Sequence, residues 1–142
     1  MNTEIIYNET DTLTESFRER IEEQFSEQLK ENGIENNFLP FNIVACHEGE
    51  KIGAVSGFRI YQEIYVDELI VFKEYRGRGI GRRLMELVEE KFREEDLDNI
   101  NLVTNEFQAV GFYEKIGFHE EYVRVNKYDH RLNKHYMVKY LR

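Results

Sequence analysis

The stretch YRGRGIG, residues 75–81, places three glycines and two arginines within seven residues. It follows the apolar run EIYVDELIVF at residues 63–72 and precedes a segment with helical periodicity. Glycine-rich turns between a strand and a helix often bind phosphate, because free backbone N–H groups and the positive end of the helix dipole meet there. The turn therefore predicts a phosphate-containing ligand, and its spacing indicates which kind.

Two familiar phosphate-binding patterns do not fit this spacing. A P-loop ends in Gly-Lys-Ser/Thr, whereas this turn ends in Gly-Arg-Arg at residues 81–83. The dinucleotide fingerprint is G-x-G-x-x-G, whereas the glycines here alternate and the third comes one place early. Both the P-loop and the dinucleotide fold are therefore excluded.

A third pattern, Arg/Gln-x-x-Gly-x-Gly/Ala, is matched by Arg76, Gly79 and Gly81. Its small residues let backbone N–H groups approach a pyrophosphate without hindrance from a Cβ atom. Further positive charges flank it in an otherwise acidic chain, at Arg78, Arg82 and Arg83. On the turn alone, a simple change of chain direction stays open as the alternative.

Composition narrows the class of protein. The chain has 142 residues, the size of one domain, and 28 acidic against 19 basic residues give a net charge of −9. Such a chain is a poor general nucleic-acid binder and would attract cationic ligands, with acidity that only keeps the protein soluble as the alternative. Its N-terminus does not resemble a signal peptide, and no apolar run approaches the length of a membrane span. The chain has one cysteine, so it cannot form an internal disulfide. We expect a cytoplasmic protein.

The first half of the chain predicts a strand, a helix and a hairpin. EIIY at residues 4–7 is β-prone, and a helix follows with an expected capping box of Thr12 and Glu15 and an end near Gly33. Apolar residues at every fourth position from 13 to 29 give this helix one apolar stripe. Runs 41–46 and 52–60 around the polar turn HEGEK predict a hairpin.

The second half alternates strands and helices. Residues 63–72 predict a strand, a helix begins at Ile80, residues 99–104 predict another strand, and a short helix ends at Gly117. EEYVRV and HYMVKYL predict two closing strands around the polar loop 126–134. We expect one α+β domain over residues 1–142, with a mixed, partly antiparallel sheet of about 6–7 strands flanked by helices.

A second motif lies about 30 residues beyond the glycine turn. It is FQAVGFYEKIGF, and it matches Ala-x-x-Phe/Leu-Tyr-x-x-x-Gly-Phe at Ala109, Phe112, Tyr113, Gly117 and Phe118. With both motifs in this order, the chain resembles the GNAT superfamily of acyl-CoA-dependent N-acyltransferases, and most closely a bacterial subset with FQA before this FY. The resemblance covers nearly the whole chain and implies acetyl-CoA as cosubstrate.

The resemblance implies a set of cofactor-binding residues. The backbone of Leu69, Ile70 and Val71 would bind pantetheine, and the N–H groups of Gly77 to Arg82 would bind the pyrophosphate. Strands 63–72 and 99–104 would splay apart to admit the pantetheine arm. The expected cofactor-binding set also contains Arg76, Gly77, Arg78, Gly79, Ile80, Gly81, Arg82 and Phe112; Phe112 is also a core candidate.

Tyr113 matches the family's usual general acid, which protonates the leaving thiolate; a packed aromatic is the alternative. Many members carry Asn seven positions before this tyrosine, where it contacts pantetheine. Glu106 occupies that position here and Asn105 precedes it. We expect Asn105 to make the contact and Glu106 to face the acceptor.

A carboxylate, or water held by one, usually removes the proton of the acceptor ammonium. Alternation along a strand puts Asp67 and Glu68 on opposite faces and Asp67 on the side of Leu69 and Val71. We favour Asp67, with a plain surface carboxylate as the alternative. Cys46 is expected to be a buried structural residue.

The histidines show no metal-binding spacing, so we expect no metal. The resemblance implies direct acetyl transfer to a primary amine, either a small cationic amine or a protein amine, and we expect no nucleic acid or membrane partner. By analogy with the family, the chain could form a homodimer, and the sequence does not decide its oligomeric state. The alternative is a non-catalytic CoA-binding sensor or interaction module on the same fold.

Overall fold

The computed structural model describes residues 4–141, which form two compact units. The first unit extends to Asn36 and the second begins at Asn37. None of the helices in the described part of the chain is long and apolar enough to span a membrane.

The first unit consists of helix α1, Glu15–Glu31, and the segments that flank it. Thr14 caps the helix, because its side chain accepts a hydrogen bond of 3.2 Å from the N–H of Phe17. The expected capping box of Thr12 and Glu15 is therefore wrong by two residues. The strand expected at residues 4–7 is also wrong, since residues 4–10 form no regular structure. A β-prone run needs a partner strand, and the described part of this unit holds a helix instead.

The end of α1 is as expected. Gly33 has φ +68, and its N–H donates to the Lys30 carbonyl while the N–H of Ile34 donates to the Leu29 carbonyl. This pair of bonds is a Schellman motif, which glycine favours because it adopts left-handed backbone angles without strain.

The second unit is a six-stranded sheet with order β1-β2-β3-β4-β6-β5. Among the strands of residues 4–141 only the pairing of β3 with β4 is parallel, so the sheet is mixed as expected. Its elements are β1 Leu39–His47, β2 Glu50–Ile60, β3 Glu63–Val71, α2 Ile80–Lys91, β4 Asn99–Asn105, α3 Val110–Lys115, β5 His119–Arg124 and β6 Lys134–Tyr140, with 3-10 turns at Lys73–Tyr75 and His130–Leu132.

The predicted hairpin is confirmed in β1 and β2, which are joined by Glu48 and Gly49. Both residues have positive φ, 49 and 82 degrees, as in the turns whose twist matches that of the paired strands.

The core lies on the face of the sheet that carries α2 and α3. Helix α2 contributes Leu84, Met85 and Val88, and α3 contributes Tyr113. The strands contribute an apolar layer beneath them, which includes Val55, Ile64, Val66, Ile100, Leu102 and Met137. Helix α2 packs over β1, β2 and β3.

Candidate active site

The site begins with an opening between two parallel strands. Strands β3 and β4 pair at three positions, from Glu63 with Asn99 to Tyr65 with Asn101. Beyond these positions β3 continues to Val71 and β4 to Asn105 without further pairing to each other. The expected splay between the two strands is therefore present, at the edge where both strands end.

A β-bulge interrupts β3 beside this opening. Ser56 pairs with Glu68 and Gly57 pairs with Val66, which leaves Asp67 as an inserted residue. Val66 and the partly buried Leu69 both pack in the core although they are three positions apart. Strict alternation therefore fails here, and the expectation that it places Asp67 on the side of Leu69 and Val71 is wrong. Asp67 is exposed, and its role as the base stays a prediction.

The glycine turn presents a run of free backbone donors. Gly77 and Gly79 both have φ +78, and Gly79 is the N-cap of α2 in left-handed conformation. No side chain caps this helix, and the N–H groups of residues 77–82 have no hydrogen-bond acceptor among the described residues. Such a run at the start of a twelve-residue helix is suited to bind an anion.

The arginines around the turn differ in what they contact. Arg76 Nε donates to the Val71 carbonyl at 2.9 Å and so ties the turn to the end of β3. The guanidinium of Arg78 lies over the Tyr75 ring, 5.2 Å from its centroid. Neither has an ion-pair partner within residues 4–141. These two positive charges stay available for a ligand.

Arg82 and Arg83 are engaged on the helix itself. Arg82 lies 3.6 Å from Glu86, and Arg83 pairs with both Glu86 and Glu90 at 3.3 and 3.0 Å. Their carboxylate partners offset much of the positive charge that the sequence placed beside the turn. The cationic character of the turn therefore lies mainly in Arg76 and Arg78.

Close packing joins the turn to the second motif. A Cβ atom at Gly81 would lie 3.3 Å from Cζ of Phe112 and 3.7 Å from a methyl group of Val71. The Phe112 ring also meets Tyr113 edge-on, with 5.2 Å between the ring centroids. Phe112 thus packs between the start of α2 and Tyr113 of α3, and its expected packing role in the core is confirmed.

Tyr113 lies in the core but keeps its proton. It is 7% exposed, and burial raises the pKa of its phenol to about 12. Its carbonyl accepts the N–H of Phe118 at 3.0 Å, and its ring packs against the Phe118 ring. The hydroxyl forms no hydrogen bond with another described residue. Every fully buried side-chain N or O atom in residues 4–141 has a hydrogen-bond partner, so the Tyr113 hydroxyl is not fully buried and is accessible from outside the core. A neutral phenol in this position can donate a proton.

Asn105 and Glu106 are both engaged with other parts of the chain. The side-chain amide of Asn105 donates to the Leu132 carbonyl at 3.3 Å. Glu106 Oε2 contacts Nε2 of His135, and Glu120 Oε1 contacts the other ring nitrogen, Nδ1. The role of Asn105 toward pantetheine therefore stays a prediction.

His135 is nearly buried, and the sequence did not single it out. Burial lowers the pKa of its ring, but the hydrogen bonds and charges of Glu106 and Glu120 raise it more, so the net shift is upward from 6.5. No sequence signal marked these three residues as neighbours, because Glu106 and Glu120 lie 29 and 15 positions from His135.

Cys46 is exposed, so the expectation of a buried structural cysteine is wrong. The pairing of β1 with β2 shifts register between Ala45 and Cys46, which takes Cys46 out of the regular alternation. Within residues 4–141 no group of three or more His, Cys, Asp or Glu side chains is arranged to hold a metal ion.

Comparison with known proteins identifies the family. The family model for the acetyltransferase (GNAT) family matches residues 6–118. Because this match covers most of the chain, the protein belongs to the GNAT acetyltransferase family.

The chain is also similar to individual acetyltransferases. Blasticidin-S acetyltransferase of Streptomyces morookaense is 40% identical over 76 residues, 52% of this chain and 56% of the relative. The chain thus matches about half the length of this curated relative. A Bacillus cereus acetyltransferase of known structure has a TM-score of 0.76 at 24% identity and covers 94% of this chain and 98% of its own. A Bacillus anthracis structure in complex with acetyl coenzyme A has a TM-score of 0.65 at 23% identity over 72% of this chain and 63% of its own.

Proposed function

We propose that this protein transfers the acetyl group of acetyl-CoA directly to a primary amine. The observation that carries the proposal is the run of free N–H groups at residues 77–82, which lies beside the opening between β3 and β4. A diphosphate at these donors would place the pantetheine arm along the opening, next to the backbone of Leu69, Ile70 and Val71. Acetyl-CoA supplies an activated thioester there.

The residues of this chain divide the remaining work. Arg76 and Arg78 add positive charge for the diphosphate. Tyr113 donates its phenolic proton to the leaving thiolate, and its pKa of about 12 keeps that proton available at neutral pH. Asp67, exposed in the bulge of β3, takes the proton that the acceptor ammonium must lose before it attacks.

We favour a small cationic amine as the acceptor over a protein amine. The net charge of −9 attracts cations over long range. The relative from Streptomyces morookaense is named for acetylation of blasticidin S. A structure with a TM-score of 0.64 and 16% identity, which supports the fold alone, is an aminoglycoside 6′-N-acetyltransferase complexed with coenzyme A.

One observation favours a second candidate, a CoA-binding module without turnover. The side chains of Asn105 and Glu106 are both held by protein partners, at the position that the family resemblance assigns to the pantetheine contact. Such a protein would bind the cosubstrate without positioning its thioester for attack.

Thiol release from acetyl-CoA tests the proposal. We would assay the protein with blasticidin S, spermidine and an aminoglycoside, and measure CoA binding by calorimetry in parallel. Thiol release that needs both the amine and Tyr113 is the expected result. Tight CoA binding without thiol release with any amine would favour the binding module, and absence of binding at millimolar CoA would exclude both.

A further inference from the structure

The contacts of Glu106, His135 and Glu120 define a cluster that the proposed chemistry does not use, and we call it the Glu-His-Glu cluster. The His135 side chain is only 8% exposed, whereas those of Glu106 and Glu120 are 50% and 41% exposed. The buried ring thus lies between two carboxylates that reach the solvent. Because a carboxylate can only accept hydrogen bonds, the ring satisfies both of them only as an imidazolium with two N–H donors.

The cluster lies on the face of the sheet that carries Tyr113. His135 pairs with Thr104 of β4, and Met137, two positions further along β6, belongs to the same core as Tyr113. Strand residues two positions apart point to the same face. His135 therefore extends the core face toward the end of β4.

Glu106 also lies at the functional edge of the sheet. It directly follows β4, and the parallel strands β3 and β4 run to the same edge, where the glycine turn begins. The backbone N–H of Glu106 donates to the Asn133 carbonyl at 2.9 Å, which anchors the residue to the loop 126–134. Its carboxylate is thus fixed both through its backbone and through His135.

The charges of the cluster favour a cationic partner. Two carboxylates and one imidazolium leave a surplus of negative charge, and Glu106 exposes half of its side chain. A carboxylate oriented by a charged hydrogen bond is pre-organised to receive an ammonium or guanidinium group.

We propose that Glu106 binds a cationic group of the acceptor and that His135, anchored by Glu120, is the positioning residue that holds Glu106 in place. This inference rests on the proposed acetyltransferase function and assigns the recognition of the acceptor's charge to this cluster. The recognised class is amines that carry a positive charge besides the one at the reacting nitrogen, such as polyamines and basic nucleoside or sugar derivatives.

The test measures binding of two cationic probes, spermidine and blasticidin S, to the CoA-bound protein by calorimetry. Glu106→Gln should raise the Kd of the probes about tenfold, the loss expected for one charge-assisted hydrogen bond, and leave the Kd of CoA unchanged. Glu121→Gln is the matched control, because it removes the same charge from an exposed neighbour of Glu120 on β5. This control should change the Kd of the probes less than twofold.

The positioning role has its own variants. His135→Gln keeps Glu106 but removes the imidazolium, and it should weaken probe binding nearly as much as Glu106→Gln. Because His135 is buried, this variant risks misfolding, so Glu120→Gln serves as the second test from a surface position. Glu120→Gln should raise the Kd of the probes at least threefold and leave KM for acetyl-CoA unchanged.

Three results would overturn the inference: equal effects of Glu106→Gln and Glu121→Gln on probe binding, no binding of either probe to the CoA-bound wild-type protein, or thiol release that is insensitive to Glu106→Gln. Thiol release from acetyl-CoA, measured separately, distinguishes failure of the recognition site from failure of the proposed acetyltransferase function. Probe binding that depends on Glu106, without thiol release, would refute the transferase and keep the recognition site. Thiol release that is insensitive to Glu106→Gln would refute the recognition site and keep the transferase.

Discussion

Replacement of Tyr113 by Phe separates catalysis from packing, because the two rings differ only in the hydroxyl. The hydroxyl forms no hydrogen bond with another described residue, so its removal leaves no buried partner unsatisfied. The ring contacts with Phe112 and Phe118 stay in place. We expect the free energy of unfolding to change by less than about 1 kcal/mol, which is small on the scale of core substitutions.

The effect on turnover should be much larger. A positioned general acid contributes roughly 10²–10⁴-fold to the rate, which corresponds to about 2.7–5.4 kcal/mol of barrier. We therefore expect kcat for thiol release to fall at least about a hundredfold, with the Kd of CoA changed less than about threefold.

Stopped-flow thiol release, CoA calorimetry and thermal melts of the same preparations would measure the three quantities. A fall in kcat matched by an equal loss of CoA affinity would mean that the ring only packs. Unchanged kcat would remove Tyr113 from the mechanism altogether.

Three further predictions concern stability and charge. Gly79→Ala should destabilise the protein by roughly 1–2 kcal/mol in denaturant unfolding, because φ is +78 there and nothing lies within 4 Å of an added Cβ; an unchanged midpoint would refute the strain argument. Arg78→Ala should weaken CoA binding severalfold at low salt and less at high salt, whereas Arg83→Ala, whose partners are Glu86 and Glu90, should have a smaller effect; equal losses would contradict the assignment of the free charges. The pKa of His135 in the folded protein lies above its ordinary value of 6.5, so its contribution to stability should be fully present below pH 6.5 and lost as the pH rises through the raised pKa. The free energy of unfolding, measured against pH, should show this loss in the wild-type protein and not in His135→Gln.

The features that the sequence predicted are those set by neighbours along the chain. The hairpin turn at Glu48 and Gly49 needs only two residues with positive φ. The ends of α1 and α3 needed only a glycine at the right place, Gly33 and Gly117. The glycine turn and the Tyr113 motif are equally local, so the site could be outlined before any contact was known.

Three of the errors share a different cause, because each depends on a partner strand; the misplaced cap of α1 is a local error, since Thr14 caps the helix in place of Thr12. The bulge at Asp67 is fixed by the pairing of β3 with β2, and the exposure of Cys46 follows a register shift in the pairing of β1 with β2. Residues 4–7 have the composition of a strand but form no regular structure. Periodicity within one segment does not report any of these pairings.

The Glu-His-Glu cluster was missed for a related reason. Its three residues come from the end of β4, from β5 and from β6, and the sheet order brings them together. Glu106 was noticed only because it departs from the pattern of the family. Its partner His135 is an unremarkable histidine in the sequence, and its burial is a property of the folded sheet.

A crystal structure with bound coenzyme A would test most directly whether the start of α2 holds a diphosphate. We predict diphosphate oxygens within hydrogen-bond distance, about 3 Å, of N–H groups in residues 77–82, with the thiol end of the pantetheine arm near the Tyr113 hydroxyl. A coenzyme bound elsewhere on the protein, with these N–H groups facing only water, would contradict the account.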